Sequence, residues 1–410
     1  MDRCMTETIS KPAALNSDQP ARVLFYSHDT FGLGHLRRSR TLATALTETN
    51  DNISALIITG STVAGRFSFP DRVDYVRLPG VTKRADGSYI SDKLSFDIDG
   101  ITAVRSALIT ALVKEFKPDL FIVDKEATGF RGELLPALDW LKNNHDTQLV
   151  LGLRDVLDSP DPLREEWQRK GVPETIENYY DEIWIYGLKS IYDPVQKLNL
   201  SDCVRSRMHW TGYLKREVSG EPTDMGKPYV LVTAGGGGDG RALVDQVISA
   251  YEQAPDLLPD AVLVYGPFLS GDLRAEFDQR VNALQGRITA LGFESQMENL
   301  MAGASGVVAM GGYNVFCEIL SCDIPTVIVP RTKPRLEQYI RASRAEELGL
   351  IRMLDKERDG TTPESMINAI RQLPNQPRPS AGGATNLLGG LPFVAARANK
   401  ILGYESSVAV

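Results

Sequence analysis

The stretch RVLFYSHDTFGLGHLRRSRTLATAL, residues 22–46, decides the fold. A short apolar run, RVLFYS, stops at a polar turn holding Gly32 and Gly34. A helical pattern then begins at or near His35. A strand, a glycine turn and a helix in that order open a βαβ unit, and the continuous apolar run suits a parallel sheet buried on both faces.

The pattern repeats outward from there. Further strands are expected at 54–59, 73–78, 119–124 (DLFIVD), 148–153 and 183–187, with helices at 35–48, 101–116 and 131–143. A second series starts near Lys227, with strands at 229–234 (YVLVTA), 261–266, 287–291, 306–310 and 325–329. Helices fall near 240–252, 271–284, 295–303, 313–321 and 335–348. Two successive doubly wound domains account for this better than one very wide sheet. The expected organisation is a disordered tail over 1–20, an N-terminal domain over 21–213, a polar hinge over 214–227 and a C-terminal domain over 228–375. A Gly/Pro-rich segment and terminal helix follow over 376–410, with 373–391 read as loop.

Composition bounds the function. The 410 residues are 42% hydrophobic and 24% charged, enough apolar material for two cores. A net charge of −8 argues against a nucleic-acid coat or an electrostatic grip on anionic lipid. Four scattered cysteines make no disulfide framework or zinc site. The first 20 residues lack the apolar core of a signal peptide, and no window approaches a membrane span. A cytoplasmic location is expected.

Three places carry chemistry. At the first turn, Gly32 and Gly34 let a ligand approach the backbone, and the helix start favours an anion. Position 37 is Arg, so the turn is not a GxGxxG dinucleotide fingerprint. Arg37, Arg38 and Arg40 oppose the helix dipole in its first turns, which calls for a compensating anion or for solvent exposure. His35 stands where ligands bind in open α/β sheets and suits a general base, although a lone histidine is more often structural. His28, Asp29 and His35 do not make a convincing metal trio, and Asp97-Ile98-Asp99 reads as a solvated helix start rather than a metal-binding DxD.

The second place is YVLVTAGGGGDG, where Gly235, Gly236, Gly237 and Gly238 follow a strand and lead into a helix. Four ordered glycines in a row suggest close approach to a ligand, and GK[ST] is absent, so this is no P-loop. The third is MGGYNVFCEIL, where Gly311 and Gly312 open a helix that carries Glu318. A carboxylate there can accept both hydroxyls of a ribose, or it can be an ordinary helix glutamate.

Together these residues resemble the GT-B glycosyltransferases of family 28, the group that includes the lipid-linked N-acetylglucosaminyltransferase of peptidoglycan synthesis. The resemblance spans most of 22–350: both glycine turns, the G-G-x(5)-E helix, then P-x-x-x-P and a glutamine-bearing helix. It implies two Rossmann-like domains facing a cleft and a UDP-sugar donor whose hexose or N-acetylhexosamine passes to a hydroxyl acceptor. It also implies inversion, with no metal or other cofactor. His35 would act at the acceptor hydroxyl. Gly235–Gly238, Gly311, Gly312 and Asn314 would embrace the diphosphate, Glu318 the ribose, Gln338 the sugar hydroxyls, and the backbone at Phe293 the uracil. Arg38 or Arg154 would offset charge on the leaving diphosphate, with Gly32, Gly34 and Arg37 on the acceptor and phosphate side.

Two departures stand out. The first loop reads FGLGHLRR, and position 337 is Glu where the family usually has His. Gly32-x-Gly34-His35-x-x-Arg38 equally resembles the nucleotide-sugar hydrolase of pseudaminic acid synthesis, in which water replaces the acceptor. A hydrolase, a nucleotide-sugar-binding protein without turnover and an epimerase-like enzyme are therefore the alternatives. The expected partners are donor and acceptor only, with peripheral contact at the inner face of the membrane left open.

Overall fold

The computed structural model describes residues 20–28, 33–83, 88–218, 220–360 and 362–404. Gly32, Asp29 and the expected N-terminal tail up to residue 19 lie outside them. The chain forms two compact units. One comprises Met1–Asp155, Pro160–Gly212 and Gly389–Val410, and the other Val156–Ser159 and Tyr213–Leu388.

The first unit is built on strands β1 (Ala21–Ser27), β2 (Ile53–Thr59), β3 (Val73–Arg77), β6 (Leu120–Asp124), β7 (Gln148–Arg154), β8 (Glu182–Tyr186) and β9 (Met208–Trp210). They form one sheet in the order β3-β2-β1-β6-β7-β8-β9, parallel at every pairing. A small antiparallel pair, β4 (Val81–Lys83) and β5 (Tyr89–Ser91), stands apart. The helices are α1 (Gly34–Thr49), α2 (Ile98–Phe116), α3 (Leu135–Asn144), α4 (Pro160–Arg169), α5 (Val172–Tyr179) and α6 (Asp202–Ser206). Val23, Leu24, Phe25 and Tyr26 are buried without alternation, as a central parallel strand between two helical layers requires.

The second unit has strands β10 (Tyr229–Thr233), β11 (Asp260–Val264), β12 (Ile288–Leu291), β13 (Gly306–Ala309), β14 (Thr326–Ile328) and β15 (Arg352–Met353), in the order β12-β11-β10-β13-β14-β15, all parallel. Its helices are α7 (Arg241–Gln253), α8 (Gly271–Ala283), α9 (Met297–Gly303), α10 (Tyr313–Cys322), α11 (Glu337–Glu347) and α12 (Pro363–Gln372). Its core draws on Val230, Val232, Val247, Ile248, Leu263, Val308 and Ile370. The last helix, α13 (Gly390–Ile401), belongs to the first unit, where it contacts α1. Arg397 there donates to both oxygens of the buried Glu182, and Asn50 donates to Asn399 at 2.8 Å.

The structure corrects several details of the sequence reading. The β4/β5 pair lies where no strand is expected from the sequence, because its three-residue strands are too short to show a period. The loop expected over 373–391 winds into three 3-10 turns, Leu373–Asn375, Pro379–Gly382 and Ala384–Leu387, before α13 begins. The helix expected from 131 starts at Leu135, because Arg131 sits at φ 50° in a separate short turn. The stretch read as a hinge opens with packed residues: Leu214 is fully buried, Arg216 nearly so, and the Arg216 amide donates to Ser321 Oγ at 2.9 Å.

Strand order locates the functional edges. In the first sheet the order reverses between β1 and β6, and in the second between β10 and β13. Ligands of open α/β sheets bind beyond the carboxyl ends of the strands at such a switch point. His28 and Asp124 stand at the first, and the glycine turns at 235 and 311 stand at the second.

Candidate active site

In the first unit, Ser27 and Asp124 pair in register at the ends of β1 and β6. Helix α1 begins at Gly34 without a side-chain cap and without an acidic residue in its first turn. This start brings His35 onto Asp124, with Nδ1 at 2.7 Å from Oδ2. Arg38, one turn on, is 1% exposed and grips the same carboxylate, with Nε at 2.8 Å from Oδ1 and Nη2 at 2.5 Å from Oδ2. The anion that compensates Arg38 is therefore inside the protein. Arg38 pairs its charge with Asp124. Arg40 lies over the Phe67 ring, 5.8 Å from its centroid.

The electrostatics follow from burial and from this pairing. Burial lowers the His35 pKa, Asp124 opposes the shift, and Arg38 and Lys125 add to it, so the imidazole is held below its usual 6.5. Asp124 is buried, which would favour its neutral form. Arg38 and His35 outweigh that cost and hold the carboxyl well below its usual range. At neutral pH the pair is a neutral imidazole against a carboxylate. With the proton on Nδ1 and shared with Asp124, Nε2 carries the lone pair.

A second layer supports this edge. Tyr26 donates to Glu133 Oε1 at 2.6 Å, and Arg105 donates to both Glu133 oxygens at 2.6 and 2.7 Å, all fully buried or nearly so. His28 packs edge-on to His35, with ring centroids 5.7 Å apart, and burial pushes its pKa down to about 3. Lys125 follows Asp124 in the left-handed region at φ 69°, strain of the kind that gathers at functional sites. Arg154 ends β7 on the same edge, partly buried, and Arg37 is partly buried on α1.

In the second unit, Thr233 and Ala309 end paired strands, and both glycine turns follow them. Gly237 has φ 86°, and a Cβ there would lie 2.2 Å from the Tyr265 carbonyl oxygen; Gly235 has φ 68° with nothing within 4 Å of such a Cβ. Packing therefore demands glycine at 237 and leaves the space beside 235 open. Gly237→Ala should cost about 2–4 kcal/mol from strain and overlap, and Gly235→Ala about 1–2 kcal/mol from strain alone. Chemical denaturation of the two variants reads the difference, and equal losses would contradict it.

Helix α10 starts after Gly311 and Gly312 with no side-chain cap on its first turn, and a helix start is where an anion is favoured. Asn314 Oδ1 accepts from Arg216 at 2.9 Å, and Arg341 donates to the Gly311 carbonyl at 3.0 Å. Gln338 is near this edge through Arg331, whose amide donates to Gln338 Oε1 at 3.2 Å. Phe293, partly buried, follows β12, two strands from β10 on the same edge. Glu318 is fully buried on α10.

The structure thus gathers His35 and Arg38 at one switch point, and Gly235–Gly238, Gly311, Gly312 and Asn314 at the other. Sequence reasoning missed Asp124 as the partner of His35 and Arg38. Asp124 left one signal, a carboxylate closing an otherwise apolar strand. Among the described residues, no group of three or more His, Cys, Asp or Glu could hold a metal ion, and no helix is long and apolar enough to cross a membrane.

Comparison with known proteins decides the class. Residues 229–386 match the glycosyltransferase family 28 C-terminal domain. The chain is a glycosyltransferase with the GT-B fold, and its C-terminal part carries the family 28 domain. An uncharacterized glycosyltransferase of Methanosarcina mazei is 23% identical over 305 residues, 71% of this chain and 73% of that protein. The UDP-N-acetylglucosamine–N-acetylmuramyl-(pentapeptide) pyrophosphoryl-undecaprenol N-acetylglucosamine transferase of Lachnospira eligens is 28% identical over 149 residues, 36% of this chain and 39% of that one. Among solved structures, TcCGT1 in complex with UDP matches with a TM-score of 0.66 at 13% identity, covering 94% of this chain and 99% of its own. The enzyme accordingly has a glycosyl donor and an acceptor as its substrates.

Proposed function

We propose that the enzyme transfers a hexose or N-acetylhexosamine from a UDP-sugar to a hydroxyl acceptor, with inversion and without a metal. The observation that carries the reading is the 2.7 Å contact between His35 Nδ1 and Asp124. It turns the imidazole into a neutral base whose Nε2 takes the acceptor proton. The acceptor oxygen attacks the anomeric carbon on the face opposite the diphosphate, and the bond to the diphosphate oxygen breaks with its electron pair leaving on that oxygen. The glycine turn Gly235–Gly238, whose Gly235 amide is held by Thr233 Oγ1, and the start of α10, with Asn314, receive the diphosphate, where the helix dipole favours its charge. Gln338 meets the sugar, and the backbone near Phe293 the base. Arg37 and Arg154, with Gly32 and Gly34, serve the acceptor side.

The donor class is supported by the glycosyltransferase domain at 229–386 and by two relatives, one named for a UDP-sugar substrate and one solved with UDP. Arg38 enters the reaction only through Asp124.

A thermal-shift titration with UDP, GDP, TDP, CMP and their sugar conjugates, with and without EDTA, tests the reading. A ligand at 100 times its Kd adds about 2.7 kcal/mol of stability. An EDTA-insensitive shift with UDP or a UDP-sugar is expected, and the absence of a shift with every nucleotide tried would overturn the reading. Sugar release at full rate without acceptor would make the enzyme a hydrolase.

A further inference from the structure

We infer that Arg331 is a positioning residue of the donor site. It clamps the glycine turn to the start of α11 and sets which hydrogen-bonding groups Gln338 and Glu337 present to the donor. The inference rests on the donor reading above.

Arg331 lies in the loop between β14 and α11, with its side chain 20% exposed. Its Nε is 2.5 Å from Asp239 Oδ2, at the end of the glycine turn, as an ion pair without aligned hydrogen-bond geometry, and its Nη2 donates to Glu337 Oε1 at 2.7 Å, in the first turn of α11. Nη1 donates to the carbonyls of Lys333 and Arg335, each at 3.3 Å, which fixes the guanidinium plane against its own loop. One planar cation therefore ties two elements more than ninety positions apart in the chain. A lysine, with a single ammonium, cannot reproduce that fork.

The same loop also sets polarity, through the Arg331 main chain at Gln338 and its side chain at Glu337. The Arg331 main-chain amide donates to Gln338 Oε1, which leaves the Gln338 NH2 as the donor end of that side chain. Glu337 is 4% exposed. With Oε1 taken by Arg331, its Oε2 is buried and without a hydrogen-bond partner among the described residues. A buried carboxylate oxygen left that way is an acceptor waiting for a donor group. Adjacent residues thus present one donor and one acceptor, the complement of a pair of sugar hydroxyls. The Glu at 337, where the resembled family has His, is explained as the counter-charge that Arg331 requires.

The test uses the full chain and four variants, Arg331→Ala, Arg331→Lys, Asp239→Asn and Glu337→Gln. Steady-state kinetics with the UDP-sugar found by titration should show the donor KM raised at least tenfold in Arg331→Ala, with kcat within about threefold of the wild type. Lysine should restore part of the loss, and Asp239→Asn added to Arg331→Ala should cost nothing more, since both break one contact. Hydrogen exchange without ligand should rise at 235–240 and 336–338 in Arg331→Ala and, if that variant fails to fold, in Asp239→Asn and Glu337→Gln. An unchanged donor KM, or unchanged exchange at both segments, would overturn the inference. A wild type that binds no nucleotide would sink the donor reading alone, because the exchange measurement still reports on the clamp.

Discussion

His35→Ala lowers kcat by about 10²–10⁴-fold, the range set by loss of a positioned general base, and leaves the Kd of the nucleotide-sugar unchanged. Both halves of that result follow from placement. His35 belongs to the first unit, at the end of β1, and the residues assigned to the donor belong to the second. Removing the imidazole takes away the group that accepts the acceptor's proton but touches none of the residues assigned to the diphosphate. The side chain is only 15% exposed and lies beside the edge of His28, so alanine leaves a small hole without an uncompensated charge. A modest loss of stability is expected. Single-turnover kinetics with bound donor check the prediction, and full turnover of His35→Ala on a genuine acceptor would remove His35 from the mechanism.

Much of this was legible in the amino-acid order, for a physical reason. Strands such as LFIVD at 120–124 and YVLVT at 229–233 are buried on both faces and so are written as short apolar runs, and their length with β-branched residues separates them from a buried helix. Glycine turns directly after two of those strands marked both switch points. The helices within 155–207 resisted reading because α4, α5 and α6 have only ten, eight and five residues and are punctuated by Pro160, Pro162, Gly171 and Pro173. Periodicity needs more turns than that. Pairings across the sheet were equally hidden. Nothing near position 35 announces that its partner is 89 residues away, because register between β1 and β6 is set by the packing of both helical layers. The same holds for Arg331 and Asp239. Charge at the first turn was legible as a problem, three arginines against a helix dipole, but its solution for Arg38 lay in a residue read only as the end of a strand.

Asp124→Asn should be the most costly single change at this edge, because Asp124 answers two groups at once. Arg38 is 1% exposed and always charged, and loss of its counter-charge leaves a buried guanidinium uncompensated, at about 3–5 kcal/mol. The depressed Asp124 pKa gives the sign of the pH dependence. The wild type holds this contribution at all pH values above the ordinary 3.8 and loses it as pH falls toward the lower folded value; the asparagine variant lacks it throughout. Turnover should fall as well, since an amide no longer fixes the imidazole proton on Nδ1. Arg38→Met separates the two roles. Without the cation, Asp124 acts on His35 unopposed and raises its pKa, and a base must be neutral to work. The acidic limb of kcat/KM should therefore move to higher pH. In the double variant Asp124→Asn/Arg38→Met both charges are gone, so most of the lost stability should return while turnover stays low. Denaturation curves and pH profiles on the three proteins check this. Recovery of turnover in the double variant would mean that Asp124 serves the fold alone and that His35 works without it.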